Sequence, residues 1–164
     1  MGYTHYWTSK DFTQKQWDKF KFVCDKLLNN LPKKTNIAGG SSSDLPLIIN
    51  RNSKDEFEFS NKCICFNGDT PHQLKLNHYD LSHETFLIEN VNDGGINDWS
   101  FCKTARKPYD LLVCACLIAA HKYLGFEIKS DGDLSDWKPA FDYYAETMEI
   151  KRVVRSKRRF LNEK

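Results

Sequence analysis

This 164-residue chain has no stretch of 18 apolar residues, so nothing in it predicts a membrane-spanning helix. Its opening residues, Met1-Gly-Tyr-Thr-His-Tyr-Trp7, lack the basic and apolar regions of a secretory signal. Position 6 is Tyr6 rather than Ser or Thr, which argues against myristoylation of Gly2. These absences predict a cytoplasmic protein with no membrane partner. There is no P-loop, no G-x-G-x-x-G, no G-x-S-x-G and no H-E-x-x-H. Familiar ATPase, dinucleotide, serine-hydrolase and zincin chemistries therefore lack support. Long low-complexity tracts are also missing, and the aromatic content is high. One globular domain over residues 1–149, with a respectable core, is the expectation.

Six cysteines are present, but none forms a C-x-x-C pair with zinc spacing. Cys24, Cys114 and Cys116 lie in apolar helical stretches, where free cysteine acts as a small hydrophobe. Reduced thiols are expected and no metal ligand set is read; the sequence names no cofactor. The formal net charge of +2 hides an asymmetry. Residues 151–159, Lys-Arg-Val-Val-Arg-Ser-Lys-Arg-Arg, carry six of the 24 basic side chains, leaving 18 against 22 acidic ones elsewhere, a net charge of −4. The body is thus no general nucleic-acid binder. A basic extension over 150–164, from Lys151 to Arg159 above all, is the one segment suited to nucleic acid or to balancing the acidic body.

Alternation in Tyr3-Thr-His-Tyr-Trp7 predicts a strand with Tyr3, His5 and Trp7 on one face. The stripe Trp17, Phe20, Cys24, Leu27, Leu31 has 3,4,3,4 spacing and predicts a helix over 11–31, stopped by Pro32. Leu47–Ile49, a hairpin of 56–59 with 62–66 around Ser60-Asn61, Thr85–Ile88 and Trp99–Phe101 read as strands. Asn67-Gly-Asp69 and Asp93-Gly-Gly95 read as turns, and His72 to His78 as polar loop. The apolar run Leu111–Ala120 predicts a buried helix ending at Gly125, then a short strand over 126–128. A last helix opens at Ser130–Asp136. The expected fold is α+β, a mostly antiparallel sheet of about four to six strands packed with two or three helices, one of them buried.

The richest segment is Phe101-Cys-Lys-Thr-Ala-Arg-Lys-Pro-Tyr-Asp110, which leads into that buried helix. Pro108 suits a first turn. Lys103, Arg106 and Lys107 then crowd a helix N-terminus that is already electropositive, each disfavoured by roughly 0.3–1 kcal/mol unless an anion is present. Free N–H groups at such an end make a ready phosphate site. Lys103, Thr104, Arg106 and Lys107 are therefore the candidate contacts for a small anionic ligand such as a nucleotide. Trp7 or Tyr109 would stack on a flat ring, and Asn67 joins the ligand-binding set. His5 is a candidate acid or base, and Glu84 or Asp131 a base or a holder of Mg²⁺ against phosphate. His83-Glu-Thr85 is half of the pair used by two-histidine phosphoesterases, but His5-Tyr-Trp-Thr8 has the wrong spacing for the other half. Ser130–Asp136 also fits a helix cap and lacks the closing Glu of an EF-hand. Whether the ligand is turned over is left open. The alternatives are a protein-interaction module, a regulator or phage-encoded inhibitor, using the same basic edge on an acidic partner, and nucleic-acid binding through the tail.

Taken in order, Gly2-Tyr-Thr-His-Tyr-Trp7, Phe66-Asn-Gly-Asp69, Glu84-Thr-Phe86, Phe101–Asp110 and Ser130-Asp-Gly132 resemble the motifs of a family of small uncharacterised bacterial and phage proteins. The resemblance spans nearly the whole chain, leaving out the Gly39–Ser43 loop and the basic tail. It implies a bacterial or phage setting and one recurring arrangement, and assigns no residue a catalytic role.

Overall fold

The computed structural model describes residues 2–35, 45–91 and 98–149. The turn expected at Asp93–Gly95, the Gly39–Ser43 loop and the basic extension from residue 150 lie outside them. The chain runs β1 (Thr4–Thr8), α1 (Gln14–Asn29), β2 (Lys34–Thr35), β3 (Leu45–Pro46), β4 (Glu58–Phe59) and β5 (Cys63–Phe66). It continues α2 (His72–Leu76), β6 (Phe86–Glu89), β7 (Trp99–Lys103), α3 (Asp110–Leu124), β8 (Glu127–Ser130) and α4 (Leu134–Thr147). The fold is α+β and all strand pairing among the described residues is antiparallel.

The strands do not make one sheet. They form two three-stranded sheets, β7-β1-β8 and β4-β5-β6, and a two-stranded ladder, β2-β3. Four helices are described rather than two or three, because the polar stretch after Pro71 winds into the short α2. The strand expected at Leu47–Ile49 is only a bridge between Ile49 and Gly68, with β3 lying just before it. The hairpin around Ser60-Asn61 forms as expected, with Phe59 opposite Ile64.

At the centre is α3, a helix apolar all round, with 12 of its 15 residues buried. Such a helix is stable only where neighbours cover every face; α1 and α4 pack against it. The α1 face is the predicted stripe widened by Val23 and Leu28, whereas Leu31 falls beyond the helix. Thr13 caps α1 with Gln16 in a reciprocal capping box, so the helix starts later than its polar prefix suggests. Gly125 ends α3 in the left-handed region, at φ 73°. His121 Nδ1, 2.8 Å from the Phe126 carbonyl oxygen, ties that end to the chain entering β8.

β1 is the middle strand of its sheet. Its register sets Thr4 opposite Lys103, and His5 between Cys102 and Ser130. Residues 5, 102, 110 and 130, remote in sequence, thus meet where α3 begins.

Candidate functional site

β7 ends where the Thr104 and Ala105 N–H groups both donate to the Tyr3 carbonyl, at 3.0 and 3.2 Å. The chain then reverses: Ala105 and Arg106 have φ of 49° and 56°, and the Lys107 N–H donates to the Thr104 carbonyl at 3.0 Å. Paired positive φ values with that bond are the signature of a type I′ turn, normally built from Asn-Gly. Holding two side-chain-bearing residues there costs about 1–2 kcal/mol each. The turn sets the Arg106 guanidinium 3.9 Å above the Tyr3 ring and 2.9 Å from Asp136 Oδ1. Asp136 is the third residue of α4 and shares a capping box with Asp133. Arg106 and Asp136 side chains remain 32% and 19% exposed.

Behind the turn lies a buried polar line. The Thr104 hydroxyl donates to Asp110 Oδ1 at 2.5 Å. The same oxygen lies 2.7 Å from His5 Nε2, while His5 Nδ1 is 2.9 Å from Ser130 Oγ. A carboxylate only accepts, so Nε2 carries a proton, and in the neutral imidazole Nδ1 then accepts from the Ser130 hydroxyl. Asp110 opens α3, where the helix dipole favours its charge. One turn on, Cys114 Sγ lies 3.4 Å from His5 Nε2 and 3.6 Å from Asp110 Oδ2. The His5 ring is held edge-on between Tyr3 and Trp137, centroids 4.9 and 5.0 Å away. Burial, then the adjacent Asp110 charge, pushes the Cys114 thiol well above its ordinary pKa. The Tyr3 hydroxyl is likewise pushed up, by burial first. Ser130 is half-buried and also accepts the Gly132 N–H at 3.0 Å. Chemically, His5 can exchange a proton with Ser130 while Asp110 holds the ring, and the outer end of this arrangement is Ser130.

The predicted residues divide on this frame. Lys103, Arg106 and Lys107 are half-exposed on one edge. The Lys103 N–H donates to Glu84 Oε2 at 2.7 Å, and the Lys107 ammonium reaches the Asp80 carbonyl. Asp131 is exposed beside them; its Oδ2 accepts the Thr4 N–H at 2.9 Å. Glu84 and Asp131 thus hold strand ends through backbone N–H groups. Tyr109 is sealed in the core with its hydroxyl donating to the Glu84 carbonyl at 2.7 Å, so its ring packs instead of stacking on a ligand. Trp7 is buried against Phe86, 5.5 Å between centroids. Asn67 stitches β5 to the approach of β6: its side chain donates to the His83 carbonyl and accepts the Gly68 N–H, at 2.8 and 2.7 Å. Gly68 is required there, since a Cβ would sit 2.3 Å from the Leu81 carbonyl oxygen and 2.9 Å from the Tyr109 ring.

Two expectations change. Pro108 precedes α3 rather than sitting in its first turn. The Asp110, Leu111 and Leu112 N–H groups donate to the Lys107, Pro108 and Tyr109 carbonyls, so the helix end is closed by its own chain and offers an anion side chains instead of N–H groups. Residue patterns also did not reveal Tyr3, Cys114, Ser130 or Asp136 as members of the cluster. The i,i+4 spacing of Asp110 and Cys114 was the one local signal. Comparison of the chain with models of protein families, with characterised proteins and with solved structures finds no match.

Proposed function

We propose that the protein binds a small anionic ligand, a phosphorylated one such as a nucleotide, on the edge formed by Lys103, the 104–107 turn and the Ser130–Gly132 end of β8. The carrying observation is Arg106 itself: a costly left-handed backbone fixes its guanidinium over Tyr3 and against Asp136. Strain of this kind clusters where a side chain must be aimed. A guanidinium held by a ring face and a carboxylate is pre-organised, so ligand binding orders little further. Lys103 and Lys107 add point charges from the flanking positions. Thr104 and Tyr109 support the edge from behind through Asp110 and the Glu84 carbonyl, whereas Trp7 and Asn67 serve the packing and the link between β5 and β6. His5, with both ring nitrogens engaged, would act on a ligand only through Ser130.

A thermal-shift series with nucleotides, sugar phosphates and inorganic phosphate tests the reading. A ligand at about 100 times its Kd should stabilise by roughly 2.7 kcal/mol. Arg106→Ala should abolish the shift, and Arg106→Lys should weaken it because the planar fork is lost. An unchanged shift in Arg106→Ala overturns the assignment.

A second reading, docking of a protein partner beside the same edge, has one observation in its favour. Trp99 and Phe101, 61% and 50% exposed, form a continuous ring stack with Tyr6 on the outer face of β7-β1-β8. Trp99→Ala should leave any phosphate shift intact and remove partner binding.

A further inference from the structure

The polar cluster at the start of α3 joins three different donor types. His5 Nε2, Cys114 Sγ and a carboxylate oxygen of Asp110 all lie within 4.8 Å of one another, and all three residues are buried. Asp110 and Cys114 share one face of α3, a turn apart, and β1 brings His5 against them. Tetrahedral zinc, with bonds of about 2.0–2.3 Å to N, O and S, separates neighbouring donor atoms by roughly 3.3–3.6 Å. Two separations already fall near that range: Sγ to Nε2 is 3.4 Å and Sγ to the Asp110 Oδ2 atom is 3.6 Å, while His5 meets the other oxygen of the same carboxylate. The third, Nε2 to Oδ1 at 2.7 Å, is a hydrogen bond, and it would open by about 0.6 Å once its proton is gone.

We propose that His5, Asp110 and Cys114 bind a zinc ion, at a site that lies behind the anionic edge and shares Thr104 and Ser130 with it but none of its cations. The proton inventory closes. Cys114 releases its thiol proton and binds as thiolate. His5 shifts its single ring proton from Nε2 to Nδ1, and Ser130 turns from donor to acceptor. Thiolate and carboxylate then balance the two positive charges of the ion. The outer partners such ligands need are in place: Ser130 on the far nitrogen of His5, and Thr104 on Asp110. Three protein ligands leave the fourth position to a water molecule. The donor set selects the metal class, because Mg²⁺ and Ca²⁺ require six or more oxygens while imidazole with thiolate suits zinc. With the cluster fully enclosed, metal enters as the chain folds.

The test uses tag-free full-length chain, refolded with zinc or cobalt(II) and desalted. Metal analysis should find about one zinc per chain, and the cobalt form should show thiolate-to-cobalt charge-transfer absorbance. Cys114→Ala, a small apolar replacement in a buried helix, should keep the fold by circular dichroism, lose the charge-transfer band and lower bound zinc at least tenfold. Arg106→Ala should leave zinc content unchanged, which separates this site from the anionic edge. Wild type holding under a tenth of an equivalent, or Cys114→Ala holding as much zinc as wild type, overturns the proposal.

Discussion

Ala105 carries a methyl group in a backbone region that glycine enters freely, at φ 49°. Glycine there would remove a strain of about 1–2 kcal/mol and add an unfolded-state entropy cost of roughly 0.5–1 kcal/mol. Ala105→Gly should therefore stabilise the fold by about 0.5–1 kcal/mol in urea denaturation. Destabilisation would mean that the turn is not strained at this residue. Asp110 is the opposite case, a buried acceptor for three donors, His5, Thr104 and Cys114. Asp110→Asn would keep one carbonyl for His5 and Thr104 but remove the charge they bond to and turn an NH2 group onto Cys114, and a loss of about 3 kcal/mol is expected in the same assay. The cationic segment stands out in the sequence as a candidate because its charges oppose a helix dipole. Which carboxylate each cation meets was not, since Asp136 lies thirty positions on and is brought in by the packing of α4.

Elements differ in how openly they announce themselves. α1 and α3 follow from local pattern alone, one from its stripe and the other from its unbroken apolar run. α2 does not, having no buried face to leave a periodic signal. The division into two sheets was also hidden, because β1 pairs with strands nearly a hundred and more residues away, and alternation names a face but no partner. Leu112→Ala in α3, at a fully buried position, should cost about 2–5 kcal/mol. The α4 cap adds a pH effect. Hydrogen bonds from Ser135 and the first-turn backbone hold the Asp133 carboxyl below its ordinary range. A folded pKa that is depressed gives stability above the unfolded value and loses it as pH falls through the folded one. The deficit of Asp133→Ala should be full at pH 7 and shrink below about pH 4; a deficit constant down to pH 2 would contradict the capping role.

Across the whole molecule, five of the six cysteines are buried and no disulfide forms. Burial first, then Glu58, pushes the half-buried Cys63 thiol up to about 12. Reaction with a thiol reagent at pH 8 should be slow for all six until denaturant is added, then complete; a fast native-state equivalent would place one thiol outside this packing. No helix among the described residues is long and apolar enough to cross a membrane.

The central place of β1 sets a timetable for synthesis. The strand at residues 4–8 is held on one side by 99–103 and on the other by 127–130. At 5–20 residues per second the ribosome needs roughly 6–25 seconds to pass from the first of these segments to the last. Until β7 emerges Tyr3, His5 and Trp7 have no partner strand, and until β8 emerges one edge of β1 stays unpaired. The three-stranded sheet is complete only after β8 clears the exit tunnel, so the middle strand of the sheet is the first to be made and the last to be fully paired.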